Sequence, residues 1–158
     1  LCWCTSVRAH EATRPLTAIL RTAQTSRTSL AGNSPSPDVS GDTLVKAVAL
    51  KDGDDVLVAL LPATHVLHAG ELSSALGREV ELAAESDFVG LFPDCDTGAV
   101  PALPLPYEVP TVVDECLFDA PRLFLESGSH RDLVALAGED FRRLYANSPL
   151  LRLSGPRH

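Results

Sequence analysis

Three short segments of this chain set reactive or conformationally special residues at defined points. The first is Leu91-Phe92-Pro93-Asp94-Cys95-Asp96-Thr97-Gly98-Ala99-Val100-Pro101. Gly98 can adopt a positive φ and let the backbone approach a ligand closely. Pro101 fixes its own φ and removes one N–H. Such a loop can aim backbone N–H groups at one oxygen and so stabilise an oxyanion without a charged side chain. An ordinary Gly/Pro turn is the plainer alternative. The second segment is the apolar run Thr43-Leu44-Val45-Lys46-Ala47-Val48-Ala49-Leu50, and the third is Ser127-Gly128-Ser129-His130.

Lys46 is one of only two lysines among thirteen basic residues. On a strand it shares a face with Leu44, Val48 and Leu50. It is then either a surface residue that snorkels or an ammonium held in a cleft. Apolar residues on both faces favour the cleft, because a doubly covered strand offers little surface. His130 by itself reads as a satisfied polar residue or a catalytic base. Asp114 and Glu115 read as paired acids or as a solvated strand end. His65 and His68 have H-x-x-H spacing but lack a third ligand, so no metal or other cofactor is expected. A metal hydrolase built from His65, His68 and Cys95 would have to lose activity to chelators. Cys95 has no basic partner nearby in sequence, which argues against a nucleophile.

The elements that must position these residues follow from periodicity and turn signals. Strands are expected at Leu44–Leu50, Val56–Leu61, Glu79–Ala83, Pro110–Asp114, Arg122–Glu126 and Leu133–Ala137. Lys51–Asp55 closes a hairpin through Asp52-Gly53. Helices are expected at Thr17–Thr25, Ala69–Leu76, Glu85–Leu91 and Glu139–Tyr145, with Gly77 stopping the second. Pro93–Tyr107 is a long Pro-rich loop of the sort that carries function in compact domains. The irregular alternation of strands and short helices predicts a mixed α/β sheet rather than a doubly wound one.

With 158 residues and 45% hydrophobic content, the chain is read as one domain with a sizeable core. Residues 1–40 carry four Arg against Glu11 and Asp38. The remainder carries nine Lys or Arg against nineteen acids, within a net charge of −8. An acidic body argues against broad binding to a nucleic-acid backbone. No run reaches the ~18 apolar residues of a spanning helix, so no membrane partner is expected. Cys2, Cys4, Cys95 and Cys116 form no C-x-x-C pair, which suits reduced thiols in a cytoplasmic protein.

In this order and at these separations, the Lys46 strand, the Gly98-x-x-Pro101 loop and Ser127–His130 resemble one family. It is the YbaK/prolyl-tRNA synthetase-associated family of trans-editing aminoacyl-tRNA deacylases, and the resemblance runs from about Val39 to Ala146. It implies a curved, barrel-like mixed sheet flanked by short helices. The domain would span 42–148, between an atypical segment 1–41, partly loop or disordered, and a frayed tail 149–158. The implied activity is hydrolysis of the ester of a mischarged tRNA, tRNA-Pro by implication, without metal or cofactor. The implied partners are the 3′ end of an aminoacyl-tRNA and prolyl-tRNA synthetase, with no DNA. The family's catalytic positions map to Lys46, Gly98 and Ala99. Its substrate contacts map to Thr22, Val100, Pro101, Asp114, Gly128, Ser129 and His130. Lys46, Gly98 and His130 are therefore expected to line one cleft.

The chain also departs from the family. Ala102-Leu103-Pro104 stands where a second Pro and then Phe-Gly are usual. Thr22-Ala23-Gln24 is present without a preceding His-Pro, and the stretch from Thr22 to Lys46 is long. These departures motivate an alternative, a non-catalytic binding module that kept the fold and lost the pocket.

Overall fold

The computed structural model describes residues 24–26, 40–129 and 132–157. The chain runs through β1 (Gln24–Ser26), β2 (Leu44–Asp52), β3 (Asp55–Pro62), β4 (His65–Leu67), α1 (Ala69–Leu76), β5 (Glu81–Leu82) and α2 (Glu85–Phe88). It continues through β6 (Thr111–Asp114), β7 (Arg122–Glu126), β8 (Leu133–Ala137), α3 (Gly138–Leu144), β9 (Leu150–Leu151) and β10 (Ser154–Pro156). Eight strands make a mixed sheet in the order β1-β8-β7-β2-β3-β6-β9, with β5 also pairing β2. β10 and β4 form a separate antiparallel ribbon.

The β2–β3 hairpin is the centre of the sheet. Asp52 pairs Asp55 across a two-residue turn in which Gly53 has φ +64°, the conformation that tight hairpin turns require. β7 and β6 then add in parallel to β2 and β3. Both faces of the hairpin are covered. Val45, Ala49, Val58 and Leu60 join Leu123, Leu125, Phe141 and Tyr145 in one core. Leu50, Leu57, Ala59 and Leu61 join Leu72 of α1 and Leu153 in another. Alternation along a strand sends neighbours to opposite faces, so a sheet covered on both sides needs the unbroken apolar run that β3 shows.

Several boundaries differ from the sequence reading. Gln24–Ser26 is a strand paired with Leu133–Ala135, where a helix over Thr17–Thr25 was expected; residues 17–23 lie outside the described residues. The strand expected at 79–83 contracts to β5, and α2 ends at Phe88. The tail after Ser148 is built into the fold rather than frayed. β9 pairs β6, β10 pairs β4, and Leu153 is fully buried. Strands of two or three residues have no readable period, so only a tertiary partner defines them. Among the described residues, no helix is long and apolar enough to cross a membrane.

Candidate functional site

The site forms where β2 loses a neighbour. On one edge of β2, pairing with β7 covers Leu44 and Val45, and pairing with β5 covers Leu50 and Lys51. Between them Lys46, Ala47 and Val48 are half-buried, although Val45 and Leu50 beside them are fully buried. The doubly covered strand expected from sequence is thus open at this one place.

The loop after α2 arches over the opening and is tied down at both ends. The Asp96 N–H donates to the Gly128 carbonyl at 2.8 Å, and the Ala102 N–H donates to the Glu126 carbonyl at 2.8 Å. The Tyr145 hydroxyl at the end of α3 donates to the Ala102 carbonyl at 3.0 Å. Burial pushes the Tyr145 phenol far up, so it remains a donor. Beneath the loop, Phe92 meets Tyr107 edge-on with ring centroids 5.2 Å apart. The Tyr107 hydroxyl lies 3.7 Å from Cys95 Sγ. Burial, with Cys95 and Asp94 adding to it, pushes the Tyr107 phenol up to about 12.

Two glycines are required by this geometry. Gly128 has φ +89°, and a Cβ there would lie 2.3 Å from Cys95 Sγ. Gly98 has φ +76°, a conformation that residues with a side chain rarely adopt, although a Cβ there would meet the Glu85 carboxylate only at an ordinary contact distance of 3.4 Å. Gly128 therefore lets the loop lie close against the end of β7, and Gly98 turns the loop over the opening.

The result is a cleft of about 170 Å³ lined by Ala47, Gly98, Ala99, Val100, Glu126, Gly128 and Ser129. The Ala99 N–H closes a turn onto the Asp96 carbonyl at 2.9 Å. The N–H groups of Gly98 and Val100 donate to no other group among the described residues. Both residues line the cleft, where backbone N–H groups can meet a bound oxygen.

Gly98, Ala99, Val100, Gly128 and Ser129 are thus brought together, and Pro101 lies beside Gly128. Lys46 is not among the lining residues. It is adjacent to Ala47 in β2 and so projects from the other face of the strand. There its ammonium donates to the carbonyl of His65. Desolvation and then the Arg157 charge lower its pKa, and Glu126 opposes them. Asp114 is fully buried away from the cleft. Its carboxylate accepts the Cys116 N–H at 2.9 Å and the Ser154 hydroxyl. Ser154 Oγ also meets His65 Nδ1 at 2.9 Å. Asp114 therefore holds the segment whose carbonyl takes Lys46, rather than touching the cleft. Thr22 and His130 lie outside the described residues. Among those described, no group of three or more His, Cys, Asp or Glu is arranged to hold a metal.

Sequence reasoning missed Glu85, Glu126 and Tyr145. None belongs to a motif. Only Glu126 had a local cue, standing directly before Ser127-Gly128.

Residues 21–144 match the model of the aminoacyl-tRNA editing domain. Solved structures share the fold. A protein provisionally described as a trans-editing enzyme for prolyl tRNA synthetase is 15% identical with a TM-score of 0.73, covering 91% of this chain and 99% of that one. A hypothetical protein, APE2540, is 19% identical with a TM-score of 0.70, covering 88% and 95%. A provisionally described signal transduction protein from Marinobacter aquaeolei VT8 is 24% identical with a TM-score of 0.69. That match covers 84% of this chain and 27% of the relative, so this chain spans about a quarter of that protein's length. Comparison with curated proteins gives no match.

Proposed function

Since the chain belongs to the aminoacyl-tRNA editing domain family, we propose that it hydrolyses the ester of a mischarged aminoacyl-tRNA, with mischarged tRNA-Pro as the leading substrate. The observation that carries this reading is the tethered loop, whose Gly98 and Val100 N–H groups have no partner among the described residues and belong to residues that line a small cleft. Water would attack the ester carbonyl carbon, and the negative charge on the carbonyl oxygen would be met by those N–H groups. The intermediate collapses with loss of the ribose oxygen, which takes the proton. Lys46 would hold the phosphate end of the terminal nucleotide at the mouth of the opening, and Ser129 would contact the aminoacyl part.

The size of the cleft supports a small substrate side chain. At about 170 Å³ it lies below the ~300–1,000 Å³ of drug-sized sites, so it suits an amino-acid side chain and not a nucleoside. Synthetase pockets discriminate by only about 1–3 kcal/mol per methylene, which is the error such a second site removes. Glu126 in the lining also suits the α-ammonium of an aminoacyl ester. The link to prolyl tRNA synthetase is drawn from the described activity of one structural relative.

A second reading, the non-catalytic binding module, is favoured by one observation. The Lys46 ammonium is engaged by the His65 carbonyl and does not line the cleft. Single-turnover deacylation of tRNA-Pro charged with alanine, cysteine or serine separates the two. Release of the amino acid faster than in buffer supports the editing reading. Binding of these RNAs without release would replace it with the second.

A further inference from the structure

We propose that the open edge of β2 at Ala47 holds the aminoacyl group by its main chain, pairing with it as one added strand residue; the ligand is taken from the editing reading. Backbone groups along a strand point alternately to its two neighbours. In β2 the Leu44 carbonyl accepts the Ala63 N–H on the β3 side. The Thr43 carbonyl accepts the Phe124 N–H, and the Ala49 carbonyl accepts the Ala83 N–H, both on the other side. Odd-numbered residues therefore turn their N–H and C=O away from β3. Ala47 is the odd residue between the last rung with β7, Val45 with Leu125, and the first with β5, Leu50 with Leu82.

The pairing of Ala47 with β7 is intercepted. One more parallel rung would bring the Ala47 N–H to the Glu126 carbonyl. That carbonyl takes the Ala102 N–H instead, and the Gly128 carbonyl takes the Asp96 N–H, each at 2.8 Å. The loop thus parts the two strands at this point. Among the described residues, no strand pairs with Ala47 on this edge. Its backbone donor and acceptor face the cleft that Ala47 lines, and an unpaired edge is a template for an added strand.

An aminoacyl ester carries one nitrogen and one carbonyl on the same α-carbon. Only the antiparallel hydrogen-bonded pair exchanges both bonds between two single residues. The α-ammonium then donates to the Ala47 carbonyl, and the Ala47 N–H donates to the ester carbonyl beside the Gly98 and Val100 donors. Paired residues send their side chains to the same face. The aminoacyl side chain therefore lies with Ala47 and Val100, both packed against the main core, where a small apolar group fits. The pairing demands a free α-amino group on the ligand.

The test follows backbone amide hydrogen exchange in the full chain by NMR. In the free protein Ala47 should exchange faster than Lys46 and Val48, whose N–H groups face β3. The probe is the L-alanyl amide of 3′-amino-3′-deoxyadenosine, which keeps the nitrogen and the carbonyl and resists hydrolysis. It should slow exchange at Ala47 about tenfold or more. The propionyl amide, which lacks the nitrogen, should bind about tenfold more weakly, the scale of one hydrogen bond to a charged group. Ala47→Pro removes the N–H alone, at an edge position where a strand tolerates proline. It should keep the wild-type circular dichroism spectrum and lower single-turnover deacylation about 100-fold. Unchanged exchange at Ala47 with the alanyl amide overturns the proposal, and so does equal binding of the propionyl amide. A wild-type rate in the folded variant overturns it too, and the exchange measurement needs no variant. Ester hydrolysis without protection at Ala47 sinks this pairing and keeps the editing reading; protection without hydrolysis does the reverse.

Discussion

At the scale of single residues, Lys46 and Asp114 belong to one connected set. Asp114 accepts from Ser154, Ser154 meets His65, and the His65 carbonyl accepts from Lys46. Lys46→Ala should lower single-turnover deacylation about 100-fold, the scale of one lost preorganised electrostatic contact, with an unchanged circular dichroism spectrum. Wild-type rates in the folded variant would remove Lys46 from the mechanism. The lowered pKa of Lys46 has a thermodynamic counterpart. Where the folded protein has released this proton and the unfolded chain still holds it, the unfolded state binds more protons and stability rises with pH. That window begins at the lowered pKa and ends near the ordinary value of 10.5. Urea midpoints should therefore climb more steeply toward pH 10.5 in the wild type than in Lys46→Met; parallel curves would contradict the shift. Asp114→Ala leaves the Ser154 hydroxyl and the Cys116 N–H without their acceptor. The buried Ser154 hydroxyl, left unsatisfied, costs about 1–3 kcal/mol, so a loss of that size in urea denaturation is expected, with Asp114→Asn losing less.

At the scale of elements, the loop over the opening is shaped by what holds its ends. Gly128→Ala would drive a methyl group into Cys95 Sγ and place a side chain at φ +89°. We expect about 2–3 kcal/mol of destabilisation together with loss of deacylation. Adding Cys95→Ala should recover the steric part and leave the backbone part, a partial rescue visible as a rise in Tm. No rescue would mean that the close packing on Cys95 is not the constraint. Tyr145→Phe removes the donor to the Ala102 carbonyl and nothing of the ring packing on Phe141. It should cost about 1–2 kcal/mol. Hydrogen exchange should quicken at Ala102, whose N–H ties the loop to Glu126, and unchanged protection there would show that Tyr145 does not steady the loop.

At the scale of the whole molecule, residues 149–157 are structural. Leu153 completes the core around Leu50, Leu61 and Leu72, and Ser154 satisfies Asp114. A chain ending at Ser148 would expose that core and leave a buried carboxylate short of a donor. It should lose several kcal/mol, by analogy with about 2–5 kcal/mol for one large core truncation and 1–3 kcal/mol for one broken buried hydrogen bond. A thermal midpoint equal to the full chain's would refute this role.

The sequence by itself determined the central hairpin, α1 and α3 nearly to the residue, and strands β6, β7 and β8. Their signals are local: alternation, apolar runs, and glycines at turns such as Gly53 and Gly77. It also marked the loop, because Gly98 and Gly128 stand where the chain takes a positive φ, the region that favours glycine. Only the tertiary structure decided which residues meet around that loop. The opening exists because β7 and β5 share one edge of β2 and leave Lys46–Val48 between them, a fact of pairing that no single strand encodes. Alternation put Lys46 on a strand face, but which face the loop would cover depended on where residues 96–102 crossed the sheet. The C-terminal strands were illegible for the same reason. Two or three residues such as Leu150-Leu151 carry no period, and their order comes from partners more than thirty residues away, at Val113, Asp114 and His65.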